Sequence, residues 1–251
     1  MDRYKTDLMW AFKRAAAKPE GPTGSDFFEA VLRERPDLKG QMAYFPTQGG
    51  CGYTIFIGDE VFKGPQGWAL NFPGYKDPGK KFDKEHEVLE QLGKHGLPVP
   101  KLTCVGKETY FYGMTRVRGV ALSQVVHKMT AEEKCTLSEE IVDFLINMAK
   151  AMPAQDGKYA VHRDLHANNI LVDPVTKKLT AVIDFGSVKY STKKDLEYYP
   201  VSSLGPYMRR AFKARKDELP DLPPAVPQQK QQLPKHLDVL KRFTRMCFQK
   251  T

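Results

Sequence analysis

HRDLHANNIL at residues 162–171 and IDFG at residues 183–186 decide how this chain is read. Asp164 is followed five positions later by Asn169, and Asp184 stands fifteen positions beyond that. The first spacing lets one loop carry a carboxylate, Asp164, toward an acceptor and an amide, Asn169, toward a metal. Asp184 closes the apolar run AVIDFG, which reads as a buried strand ending in a turn, so its carboxylate is expected at the floor of a cleft. Hard oxygens of this kind suit Mg2+. An isolated Asp in such a place marks only a turn. D-x4-N followed by a strand ending in D-F-G is a much rarer combination.

Phosphoryl transfer needs few parts: Mg2+ bridging the phosphates, a cation on the α/β-phosphates, and a carboxylate that orients the acceptor hydroxyl. Positioning and electrostatics do the rest. On these residues HRDLHANNIL resembles the catalytic loop of the protein kinase-like superfamily, and IDFG resembles its metal-binding motif. The resemblance spans about residues 49–190. It implies ATP and Mg2+ as cofactors, Asp164 as the catalytic carboxylate, and Asn169 and Asp184 as metal ligands. Lys63, on the strand VFKG, is similar to the phosphate-anchoring lysine. Glu85, in FDKEHEVLEQL, is similar to its ion-pair partner, with Glu87 as the alternative in poorer helical register. Gly49, Gly50 and Gly52 form a Gly-rich turn that lets backbone N–H groups approach phosphates, although a full G-x-G-x-x-G is absent. Met114, Thr115, Arg116 and Val117 match the hinge that holds adenine.

The motif is mixed within the superfamily. His162-Arg163 resembles the protein-kinase form, whereas His166 is similar to the H-x-D-L-H-x-x-N form of aminoglycoside phosphotransferases and choline kinases. Only about fifty residues separate the hinge from Asp164, which leaves room for one long helix and not for the pocket helices of the small-molecule kinases. The short spacing favours a minimal protein kinase, of the RIO-like or bacterial-effector kind, acting on a Ser or Thr hydroxyl of a protein. A small-molecule alcohol is the alternative acceptor, and a pseudokinase binding module is the third reading. No A-P-E follows D-F-G, so control through a phosphorylated activation loop is not expected.

The rest of the chain fits an α+β fold with two lobes, a β-rich N-lobe and a small, mostly helical C-lobe. Residues 1–48 read as an N-terminal helical extension, with helices over 3–17 and over SDFFEAVLRER, where Ser25 is the expected cap and Pro36 the stop. Residues 49–117 form the N-lobe. It contains a hairpin turning at Gly58-Asp59, an irregular loop over 64–81, a helix from Phe82 to Gly93 or Gly96, and strands in KLTCVG and TYFYGMTRV. Residues 118–206 form the C-lobe, with a helix over 131–151 whose apolar face carries Ile141, Phe144, Leu145 and Met148. Residues 207–251 hold a helix near 207–218, a Pro/Gln-rich strap and a last helix over 235–249.

Hydrophobic residues make up 41% and charged residues 27% of the chain, as in soluble globular domains. No apolar run is long enough for a transmembrane segment, and the charged N-terminus is not a secretory signal. Cysteines at 51, 104, 135 and 247 form no CxxC pair, which suits a reducing, cytoplasmic setting, including that of a host cell after delivery. The net charge is +9, and residues 207–251 hold eleven Lys/Arg against four Asp/Glu. That excess suits a solvated basic surface, or an acidic partner for the C-terminal region.

Overall fold

The computed structural model describes residues 24–46, 52–65, 79–107, 111–196 and 204–222. Gly49, Gly50, the helix expected over 3–17, and nearly all of the strap with the helix over 235–249 lie outside the described residues.

Alternation builds the first sheet. In β2 (Gly52–Ile57) Tyr53, Ile55 and Ile57 are buried while their neighbours are half-exposed, the period-2 pattern of a strand with one face on a core. A two-residue turn at Gly58-Asp59, with Gly58 at φ 57°, returns the chain into β3 (Glu60–Pro65). β1 (Ala43–Tyr44), β4 (Leu102–Val105) and β5 (Tyr112–Thr115) complete an antiparallel sheet in the order β1-β2-β3-β5-β4.

A helix covers each face of this sheet. α1 (Gly24–Glu34) buries Phe27, Ala30 and Val31 against Tyr53, Ile55, Ile57 and Phe62, the i, i+3, i+4 stripe of an amphipathic helix. The helix begins at Gly24, so Ser25 sits within the first turn and does not cap it. Pro36 follows the end of the helix at Glu34, as expected of a stop. It opens a 3-10 turn, Pro36–Leu38, that drops Leu38 into the same core, because proline is tolerated at the first helical position. α2 (Gly79–Lys94) lies on the other face, where Val88, Leu89 and Leu92 join Val61 and Met114. It starts before the expected Phe82, so Gly79–Lys81 belong to the helix and not to the loop.

The second lobe is built around one long helix. α3 (Leu122–Val125) leads to α4 (Ala131–Ala151), which opens on a capping box: Thr130 Oγ1 accepts from the Glu133 N–H and Glu133 accepts from the Thr130 N–H. One face of α4 carries Leu137, Ile141, Phe144, Leu145 and Met148 into the core shared with α2. A second buried face, Val142, Ile146 and Ala149, packs on Ala211 and Phe212 of α6 (Gly205–Arg215), beyond the short α5 (Lys193–Leu196). β6 (Val120–Ala121), β8 (Ile170–Val172) and β9 (Leu179–Val182) make a three-stranded sheet, and β7 (Tyr159–Val161) pairs with β10 (Lys189–Ser191). Residues 162–169 therefore run between β7 and β8, and residues 183–188 between β9 and β10. Among the described residues no helix is long and apolar enough to cross a membrane. The result is an α+β, two-lobed molecule with a cleft between the first sheet and these two connections.

Candidate functional site

Strand alternation places Lys63. Along β3, Val61 and Lys63 face α2, while Phe62 and Gly64 face α1. Lys63 Nζ donates to Glu85 Oε1 at 2.8 Å and lies 3.4 Å from Asp184 Oδ1. Glu85 is 3% exposed, whereas Glu87 points to solvent. Burial alone would pull the Lys63 ammonium down, but the carboxylates of Glu85 and Asp184 outweigh it and hold it above its ordinary value. Lys63 stays cationic at neutral pH.

Asp184 projects into the cleft because its backbone is left-handed. At φ 65° it precedes the 3-10 turn Phe185–Ser187, a conformation that a non-glycine residue adopts only when its surroundings impose it. The imposing contact is Phe185. It is fully buried, with its ring 4.9 Å from His162 and 6.3 Å from Phe144. β9 ends at Val182, two residues short of Asp184, so the Asp184 carboxylate sits on the turn and not on the strand.

The residues of the connection between β7 and β8 hold one another. His162 donates from Nε2 to the Ile183 carbonyl at 2.9 Å, and its Nδ1 accepts the Asp164 N–H at 3.3 Å. Those bonds fix the neutral tautomer, and burial keeps the His162 imidazole below its ordinary value. Asn169, 7% exposed, donates from Nδ2 to the Asp164 carbonyl at 2.8 Å, and its own carbonyl accepts the Ile183 N–H at 3.0 Å. The two loops are thus stitched together behind the cleft. Asp164 is half-exposed, with Oδ1 3.6 Å from His166 Nε2, and His166 Nδ1 accepts the Asn168 N–H.

Lys63, Glu85, Asp184, Asp164 and Asn169 converge from four separate segments, Asp164 and Asn169 sharing the connection between β7 and β8. Asn169 Oδ1 and the Asp184 carboxylate present two hard oxygens on adjoining loops. That set fits Mg2+, which takes one or two protein oxygens and completes its shell with phosphates and water. It does not fit a closed protein cage, and among the described residues no group of three or more His, Cys, Asp or Glu could hold a metal.

The segment expected to be the hinge, residues 114–117, is more committed than its sequence suggests. The Thr115 N–H donates to Lys101 O and the Arg116 N–H to Asp59 O, each at 2.8 Å. The Arg116 guanidinium lies over the Phe56 ring at 5.2 Å. Of these residues, Val117 has an N–H that bonds to no described residue. Met114 is buried at the end of β5, and Gly52 opens β2 opposite Pro65. Sequence reasoning missed the Lys63–Asp184 approach and the bond from Val182 N–H to Pro98 O at 3.0 Å, which ties the turn after α2 to the strand before Asp184. A cavity of about 450 Å3 between this turn and α4, lined by His95, Leu97, Glu140 and Phe144 among others, touches none of the five converging residues.

The family model for protein tyrosine and serine/threonine kinases matches residues 74–209, more than half of the chain. Serine/threonine-protein kinase D of Synechocystis sp. is 30% identical over 112 residues, 44% of this chain and 20% of that protein. Serine/threonine-protein kinase PknA of Nostoc sp. is 30% identical over 130 residues, 50% of this chain and 22% of that protein. The chain spans about a fifth of the length of these relatives. Among solved structures, an aminoglycoside 2'-phosphotransferase in complex with GDP superposes with a TM-score of 0.61 at 16% identity, covering 78% of this chain and 83% of that one. An aminoglycoside phosphotransferase bound to streptomycin and ATP gives 0.60 at 15% identity, covering 77% and 83%. At such identities these structures share the fold with this chain.

Proposed function

The chain belongs to the protein tyrosine and serine/threonine kinase family, and from that membership we propose that it is a compact Ser/Thr protein kinase that moves the γ-phosphate of ATP to a protein hydroxyl. The observation that carries the proposal is the three-way approach of Lys63 to Glu85 and Asp184, 2.8 and 3.4 Å, beside a catalytic loop locked by Asn169. Lys63 lies outside the matched span, so its pairing is independent support from geometry.

In this reading Lys63 holds the α/β-phosphates and Glu85 holds Lys63. Val117 N–H is free to meet the adenine edge at the hinge of Met114, Thr115, Arg116 and Val117, and Gly49, Gly50 and Gly52 approach the phosphates from above. Asn169 and Asp184 would hold Mg2+, which would supply charge neutralisation on the phosphates. Asp164 orients the acceptor hydroxyl and takes its proton as the new P–O bond forms and the bond from the γ-phosphorus to the bridging oxygen breaks, leaving ADP. A loose transition state asks little basicity of Asp164. His162 keeps both loops in register through its bonds to the Ile183 carbonyl and the Asp164 N–H. Residues 49–117 and 118–206 are taken as the two catalytic lobes, 1–48 as an addition to the first, and 207–251 as a basic extension of the second. Arg209, Arg210 and Lys213, all exposed on α6, suit an acidic protein partner. Cys104 and Cys135 are free, in keeping with a cytoplasmic setting, including a host's.

His166 and the shared fold favour a second reading, a small-molecule kinase of the aminoglycoside or choline type. Labelled ATP with Mg2+, offered to a cell lysate and separately to aminoglycosides, choline and sugars, separates the two. Label in discrete protein bands supports the protein kinase, and label confined to small molecules overturns it.

A further inference from the structure

We infer that Phe27 and Arg35, at the two ends of the outer helical segment, are positioning residues for Lys63. The inference rests on the reading of Lys63 as the phosphate anchor. Both residues precede the span that the family model matches.

Lys63 has two chain neighbours, and each is held from behind the sheet. Gly64 is buried and faces Phe27 so closely that a Cβ there would lie 2.4 Å from Phe27 Cε2 and 2.9 Å from Cζ. The ring therefore rests on the β3 backbone itself, one residue from Lys63. Phe27 is fully buried, stacked on Tyr53 at 5.8 Å and edge-on to Phe111 at 6.4 Å, so it has no room to recede. Phe62, on the other side of Lys63, meets Phe111 at 6.0 Å and lies beneath the Arg35 guanidinium at 5.9 Å. Arg35 also donates to both carboxylate oxygens of Glu60, the first residue of β3, at 2.8 and 3.3 Å, while Asp37 holds the guanidinium from outside. β3 is thus clamped at its start by Arg35 and near its end by Phe27, with Lys63 between. On the cleft side, among the described residues, Glu85 and Asp184 hold the ammonium. The outer clamp sets where the backbone of Lys63 lies, and the inner pair sets where its ammonium points.

A residue that only adds stability changes melting and leaves ligand affinity of the folded protein alone. A positioning residue changes both, because displacements on the order of 1 Å are enough to cost a site up to about a hundredfold. The test measures the dissociation constant of Mg-ATP by calorimetry at 15 °C, together with melting, on the full chain. The variants are Phe27→Leu, Gly64→Ala and the double variant, with exposed Glu29→Ala as control. Phe27→Leu and Gly64→Ala are each expected to weaken Mg-ATP binding about five- to tenfold, within the range for small misplacements. In the double variant the added methyl takes the space that the ring vacates, and affinity returns to within about threefold of wild type. Glu29→Ala leaves it unchanged.

Unchanged affinity in folded Phe27→Leu overturns the inference, and so does a double variant that recovers melting but not affinity. Should Gly64→Ala fail to fold, the comparison of Phe27→Leu with the double variant decides alone. Wild-type protein that binds no ATP removes the phosphate-anchor reading and this inference with it. Wild-type protein that binds ATP but labels no protein removes only the proposed acceptor.

Discussion

Replacing Glu85 with Gln keeps the volume of a buried side chain and removes its charge. Among the described residues Lys63 then has Asp184, at 3.4 Å, as its one carboxylate partner. Removing one member of a fully buried pair costs about 3–5 kcal/mol. The Lys63 side chain keeps 17% of its exposure and Asp184 is 41% exposed, so water and the second carboxylate lower that to about 2–3 kcal/mol. For a chain of this size the fall in melting temperature is about 5–10 °C. The pH sign follows from the raised value of Lys63. Its contribution is complete below the ordinary lysine value of 10.5 and is lost as pH rises above it. The deficit of Glu85→Gln should therefore be constant from pH 7 to pH 9 and shrink only in strong base. Thermal melting across that range, with nucleotide binding measured alongside and Glu87→Gln as control, checks the reasoning. A Glu85→Gln protein that melts within 1 °C of wild type and binds ATP as tightly would refute it.

Other perturbations have equally definite expectations. Gly113→Ala should destabilise by about 1–3 kcal/mol, the range for overpacking, because the new Cβ would lie 2.8 Å from both Cys104 Sγ and Phe62 Cε1; chemical denaturation reads the loss. Thr130→Ala removes half of the capping box that opens α4 and should cost about 1 kcal/mol, visible as a lower denaturation midpoint at unchanged slope. Burial holds His162 below the ordinary value of 6.5, so its contribution is present above that value and lost as pH falls through the lower, folded value. Wild type should therefore lose stability below pH 6.5 more steeply than His162→Gln does, with melting followed from pH 8 to pH 5.

Periodicity over long segments made much of this fold legible. The apolar spacing of Ile141, Phe144, Leu145 and Met148 marks α4 from Ala131 to Ala151, and alternation around Gly58-Asp59 marks the β2–β3 hairpin. Strands of two or three residues, β1, β7 and β10, are too short to carry a period, and the pairing that makes them strands is non-local. The second buried face of α4 is legible only once α6 is there to cover it. Spacing within the motifs placed Asp164, Asn169 and Asp184 on two connections, but the left-handed turn at Asp184 depends on Phe185 finding His162 and Phe144. The hinge shows the same limit. MTRV names four candidates, and only the folded backbone reveals that the Thr115 and Arg116 N–H groups are already engaged. Phe27 against Gly64 joins residues far apart in the chain, and neither has a local signal of the other.

The most direct test of phosphoryl transfer at this site compares wild type with Asp164→Ala in one assay, using labelled ATP, Mg2+ and a cell lysate, with nucleotide affinity measured on both proteins. The expected result is label in discrete protein bands with wild type and its loss with Asp164→Ala, while the two bind Mg-ATP within about threefold of each other, since the proposed role of Asp164 is on the acceptor and not on the nucleotide. Undiminished transfer by Asp164→Ala would contradict it.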